Sequence, residues 1–190
     1  MRASEWTQMS WPLAEVLGEF EPMRRRGFVR RHEWVAECLY ADSGHRRTVF
    51  YLHAFALPLF VPTDHLYFTY GTRVGAGWEE VNRDLVEAVR RELPRLRELA
   101  TIDGLVGRAS RPEINLHHAE LHLCAALIAG DRRQFEQLAQ SIRDWNETLP
   151  WERLIIDRCE ALSETVNGSG DAAGVSILRE RVPAVLSLLA

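Results

Sequence analysis

The sequence predicts an α+β fold, on three observations. Segments with period-2 alternation are confined to the first half, the apolar period changes to 3.6 at Trp78 and stays there, and the helical half reads as successive tight hairpins. Strands and helices that are grouped, and do not alternate, argue against a parallel βαβ sheet. The expected architecture is an N-terminal helix plus a small antiparallel sheet of about three strands, packed against a C-terminal layer of antiparallel α-helical hairpins. Residues 1–190 are read as a single domain with subregions 1–77 and 78–190.

Ser10 can cap the first helix, with Pro12 in its first turn and Leu13, Val16, Leu17 and Phe20 as its apolar stripe. Pro22 and Gly27 end it, and a basic run follows, Arg24-Arg25-Arg26-Gly27-Phe28-Val29-Arg30-Arg31-His32. The aromatic, β-branched stretch Arg47–Tyr70 is the spine of the sheet. Asp42-Ser43-Gly44-His45 is a turn by composition, so Glu33–Ala41 and Arg47–Leu57 pair as an antiparallel hairpin. Pro58 and Pro62 interrupt the ladder, and His65–Tyr70 supplies a third strand. Gly71–Gly77 is then a flexible strand-to-helix turn.

Trp78, Val81, Leu85, Ala88, Val89, Leu93 and Leu96 trace the stripe of a helix, kinked or interrupted at Pro94; Arg83, Glu87, Arg90, Arg91, Arg97 and Glu98 form its solvated face. Ile102–Ala109 reads as a loop. Ser110-Arg111-Pro112-Glu113 matches a capping box and opens a helix running to Ala129 that is apolar on nearly all sides. Gly130 ends it, and Asp131-Arg132-Arg133-Gln134 opens the next, so the two helices lie antiparallel. Pro150 starts another, with Trp151, Leu154, Ile155, Cys159, Leu162 and Val166 expected inward. Asn167–Gly174 is a flexible linker by composition. The tail carries Leu178, Val182, Val185, Leu186 and Leu189 at helical spacing, with Pro183 as a break or restart.

Composition narrows the function. A hydrophobic fraction of 46% with 26% charged residues is that of an ordinary soluble globular protein. A formal charge of −4 argues against a general nucleic-acid binder. All 23 Lys+Arg residues are arginine, so a Walker-A lysine, a Schiff-base lysine and a Tyr-x-x-x-Lys pair are all excluded. Cys38, Cys124 and Cys159 fit neither a disulfide framework nor a Cys-x-x-Cys metal site, and read as buried free thiols. With no signal-peptide pattern and no apolar run of about 20 residues, the expectation is a cytoplasmic protein without a membrane segment. Among the six tryptophans, Trp6 and Trp11 are expected to stay partly exposed.

Three stretches carry candidate chemistry. Gly71-Thr72-Arg73-Val74-Gly75-Ala76-Gly77 has the glycine spacing of the nucleotide loop of short-chain dehydrogenases, although no βαβ series continues from it. His118 and His122 are four apart on one helix face, a spacing that can hold a metal, but position 119 is Ala, so the glutamate of His-Glu-x-x-His is missing. Arg24, Arg25, Arg26, Arg30 and Arg31 form a cluster whose guanidinium forks suit an anion or an acidic partner; the alternative is a solvated sheet edge. No Gly-x-Ser-x-Gly frame surrounds a nucleophile, and no complete cofactor motif is present.

The run Arg-Gly-Phe-Val-Arg-Arg at Arg26–Arg31, preceded by a short helix and followed by an aromatic strand, resembles uncharacterised bacterial α+β families, domains of unknown function found in part near toxin and immunity loci. The resemblance covers Leu13–Tyr70 and implies a non-catalytic binder, without assigning residues. The expected function is a non-enzymatic protein-interaction module of immunity or accessory type. The alternative is a small enzyme, metal-dependent through His118 and His122 or nucleotide-binding through Gly71–Gly77. A homo-oligomer through the apolar tail Val182–Leu189 is a further expectation.

Overall fold

Alternating side chains on two segments joined by a tight turn pair as a hairpin, and the longest ladder forms where the alternation is strongest. In a computed structural model describing residues 6, 10–23, 26–43, 49–63, 66, 68–109, 112–113 and 115–189, β3 (Val35–Ser43) pairs antiparallel with β4 (Phe50–Pro58), Val35 opposite Pro58 and Ser43 opposite Phe50. This is the expected hairpin. The sheet has five strands, however, in the meander order β1-β2-β3-β4-β5, where three were expected. The additional strands are β1 (Glu21–Met23), β2 (Gly27–Arg31) and β5 (Gly71–Trp78).

Glycine conceals two of these strands. A Cβ at Gly27 would stand 2.3 Å from the Leu39 carbonyl oxygen, and one at Gly71 would stand 2.3 Å from that of Ala54. Both glycines permit close cross-strand approach, so residues that read as a helix stop and a turn are packing devices inside a ladder. No strand forms among the described residues of the expected third strand, His65–Tyr70. Thr69 and Tyr70 make a turn and Leu66 and Phe68 lie outside any strand, while Asp64, His65 and Tyr67 lie outside the described residues.

The chain divides into two compact units. The first comprises Met1–Pro58, Asp64–Leu105 and Leu186–Ala190, the second Leu59–Thr63 and Val106–Val185. In the first unit, α1 (Trp11–Leu17) and α2 (Arg83–Leu99) cover one face of the sheet. Leu13, Leu17, Leu85, Val89 and Leu96 meet Phe28, Leu39, Leu52, Ala54 and Val74 in one core, which also encloses Trp6. Of the two N-terminal tryptophans expected at the surface, only Trp11 is there; Trp6 sits between Phe28 and Phe50. The Asn82 carboxamide oxygen caps α2 by accepting from the Leu85 N–H at 3.0 Å. Pro94 is accommodated within that helix without ending it. Residues Ile102–Arg108, expected as a loop, form the short helix α3.

The second unit contains α4 (Leu116–Ala129), α5 (Arg132–Arg143), α6 (Pro150–Ser169) and α7 (Asp171–Leu186). The helix α4 is buried nearly all round, as its continuous apolarity demands. Its cap is Asn115, five residues beyond the predicted Ser110; Ser110 and Arg111 lie outside the described residues. The Asp131 carboxylate caps α5 where expected, accepting from the Gln134 N–H at 2.9 Å. The predicted linker Asn167–Gly174 is mostly helix, with a single break at Gly170 (φ +87°). A Cβ at Gly174 would lie 2.4 Å from Val166 Cγ2, so this glycine lets α7 approach α6 closely. Val185 and Leu189 of the apolar tail are buried within the chain. No helix among the described residues is long and apolar enough to cross a membrane.

Candidate functional site

Each predicted site residue has a definite environment. On α4, the His122 Nε2–H donates to the Ala109 carbonyl at 2.7 Å, because a carbonyl oxygen only accepts. That nitrogen is therefore occupied by a structural bond. His118 lies in the first turn of α4, its N–H donating to the Asn115 side chain at 3.2 Å. Among the described residues, no three His, Cys, Asp or Glu side chains gather into a set that could hold a metal ion. The nucleotide-loop reading of Gly71–Gly77 required a loop before a helix; these residues are instead in strand β5, and Gly71 is fixed against Ala54.

Of the described members of the arginine cluster, Arg30 turns inward while Arg31 stays exposed. Arg30, on the core side of β2, grips the fully buried Glu37 of β3 through Nε at 3.0 Å and Nη2 at 2.6 and 2.7 Å. Its Nη1 reaches Glu19 at 2.9 Å, and its guanidinium lies 5.0 Å from the Phe20 ring centroid. Burial alone would lower the Arg30 pKa, but the bonds to Glu37 and Glu19 outweigh it and raise the value. The His32 Nε2–H donates to the same Glu37 carboxylate at 2.7 Å. Arg26 bonds to the Ser43 hydroxyl, and Arg31 pairs with Glu21 at 3.4 Å. Arg24 and Arg25 lie outside the described residues.

The second unit holds a comparable buried charge. Glu120 of α4 accepts from Arg158 of α6 at 3.0 and 2.8 Å, next to Cys124 and Cys159. Burial pushes the Cys124 thiol up to about 12 and raises Cys159 as well, so both stay protonated and inert as nucleophiles. Burial and then Glu37 raise Cys38 similarly. All three cysteines are free and buried, as the sequence predicts.

On the sheet face away from α1 and α2, Tyr40, His53 and Arg73 lie in one row across β3, β4 and β5. Phe68 stacks on His53 with centroids 4.3 Å apart and meets Phe55 edge-on at 5.0 Å. Burial and then the Arg73 charge lower the His53 pKa, which favours the neutral ring. A groove of about 590 Å³ opens between β5 and α2, lined by Val74, Gly75, Trp78, Ala88, Arg91, Glu92 and Arg95. Sequence reading assigned Arg91 to a solvated helix face and Trp78 to the core stripe, and so missed that the two meet around one cavity.

No family model, curated protein or solved structure matches this chain. Its own surface is therefore the guide to function. Large apolar side chains concentrate at the start of α6: Leu149, Trp151 (42% exposed) and Leu154 (61% exposed). Trp151 and Leu154 were expected inward, and the structure corrects this. At 100° per residue, Leu154 points a full residue step away from the Ile155–Cys159–Leu162–Val166 stripe, which was the signal available in the sequence. The Trp151 ring lies flat on His117 of α4, 4.9 Å between centroids and 6° from parallel. Glu152, the next residue, accepts from the Thr148 and Leu149 N–H groups at 2.7 and 2.8 Å and so fixes the turn that presents the patch.

Proposed function

We propose that the protein is a non-enzymatic binding module that docks a protein partner on the apolar patch Leu149, Trp151 and Leu154. The observation that carries this reading is the exposure of Trp151 and Leu154 one helical turn apart, on a helix whose other large apolar residues, Ile155, Ile156, Leu162 and Val166, are buried. Solvent-exposed apolar side chains grouped in this way mark interaction surfaces, and tryptophan is enriched among residues that dominate binding energy. Stacking on His117 and the Glu152-capped turn hold the Trp151 ring in place before binding, which lowers the ordering cost of association. The arginine edge, with Arg30 spent on Glu37, offers less to a partner than this patch.

The immunity or accessory role belongs to the same proposal, as the resemblance of the N-terminal half implies, and we place the protein in the cytoplasm because its three thiols are free. The test is co-purification of the protein at native expression level from its own cells. The double variant Trp151→Arg/Leu154→Glu is expected to lose a stoichiometric partner that the wild type and the Arg31→Glu variant retain. Retention of the partner by the double variant, with its circular dichroism unchanged, would refute the patch.

A further inference from the structure

We infer that the groove between β5 and α2 is a binding site for a small planar anion that carries an N–H or O–H donor. Its volume of about 590 Å³ lies in the range of about 300–1,000 Å³ typical of small-ligand sites. One wall is preset as a flat aromatic surface. The Trp78 Nε1–H donates to the Val74 carbonyl at 2.6 Å, which fixes the indole against the strand. Gly75 (φ +77°) makes this geometry possible, because a Cβ there would lie 2.6 Å from Trp78 Cζ2.

The opposite wall is charged. Arg91 and Arg95 stand one turn apart on α2, and Arg91 pairs with no carboxylate among the described residues. Arg95 reaches Glu92 Oε1 at 3.3 Å, which leaves Glu92 Oε2 as the one buried side-chain oxygen or nitrogen without a hydrogen-bond partner among the described residues. The Glu92 side chain as a whole is only 20% exposed. A buried acceptor without a donor is costly, and a bound donor relieves that cost. Two arginines against one glutamate leave the lining with a net positive charge, so the complementary ligand is anionic, with its flat body on Trp78 and its donor on Glu92. An aromatic carboxylate with a ring N–H and a nucleoside monophosphate with an amino group share this chemistry. This site lies in the first compact unit and is independent of the α6 patch.

The test is calorimetric titration of the full-length protein with four probes: indole-3-carboxylate, adenosine monophosphate, indole and inorganic phosphate. At least one of the first two is expected to bind at least about tenfold more tightly than both controls, and which one does so distinguishes the sources. The Arg91→Glu variant is expected to weaken that probe about tenfold or more, a loss of about 1.4 kcal/mol, while Arg90→Glu, which reverses an exposed arginine paired with Glu87, leaves it unchanged. The inference is overturned if neither anionic planar probe binds better than indole and phosphate. It is equally overturned if Arg91→Glu binds as the wild type does.

Discussion

Glu37 has no exposed surface, yet it holds Arg30 through both carboxylate oxygens and His32 through one of them. Removing one partner of such a pair leaves a buried charge uncompensated, at a cost of about 3–5 kcal/mol. Glu37→Ala is therefore expected to lower the urea-unfolding free energy by that amount. Arg31→Ala, whose ion pair with Glu21 is largely exposed, is expected to change it by no more than about 0.5 kcal/mol. Equal effects would contradict the assigned roles. A sequence reader could see the Arg30 and Glu37 letters but not their register, because the pairing depends on β2, whose Gly27 reads as the end of a helix.

Two titrations belong to the same scale. Glu152 has its pKa lowered, first by the Thr148 N–H and further by the Leu149 N–H, the Thr148 hydroxyl and the Trp145 indole, which together outweigh burial. Its contribution to stability is present above the unfolded carboxylate value of about 4.3 and is lost as the pH falls below it toward the lower folded value. His53 is also lowered, by burial and then by Arg73, so the unfolded chain binds its proton first as the pH drops. Stability from His53 is thus present above about pH 6.5 and declines below it. Thermal unfolding followed from pH 8 to pH 3 is expected to show a shallower slope just below pH 6.5 for His53→Gln, and a shallower slope below pH 4.3 for Glu152→Gln. Slopes identical to wild type would contradict these environments.

At the scale of elements, glycine explains both the successes and the failures of sequence reading. Gly130 and Asp131 mark the α4–α5 turn by ordinary stop and start chemistry, and the expected hairpin is present there. Gly174 uses the same letter for a different purpose, the close packing of α7 against Val166 and Leu127, so the glycine-rich stretch looked like a linker and is almost all helix. Gly174→Ala is expected to destabilise by about 1–3 kcal/mol through overpacking. Gly168→Ala, on α6 with open space around its Cβ position, is expected to stabilise by about 0.5–1 kcal/mol by restricting the unfolded chain. Opposite signs in chemical denaturation are the expected result; a loss of stability at both sites would contradict the assignment of Gly174 as a packing residue.

For the whole molecule, local periodicity revealed the α+β class, the β3–β4 hairpin and the buried α4, since each depends on residues close in sequence. The five-stranded sheet and the β5/α2 groove were not legible, because both depend on long-range register and on which face of a helix the sheet leaves open. The exposure of Trp151 was hidden for a related reason: it lies within reach of the α6 stripe by angle, yet it sits in the first turn and is 42% exposed. The central claim is that this exposed end of α6 is where a protein partner docks. Its most direct measurement is site-specific photo-crosslinking in the native cells, with the reactive side chain placed at Leu154 or, about 15 Å further along the same helix, at Glu164. One discrete adduct is expected from position 154, disappearing when Trp151 is changed to Arg, and none from position 164. The same adduct from both positions, or none from position 154, would contradict that claim.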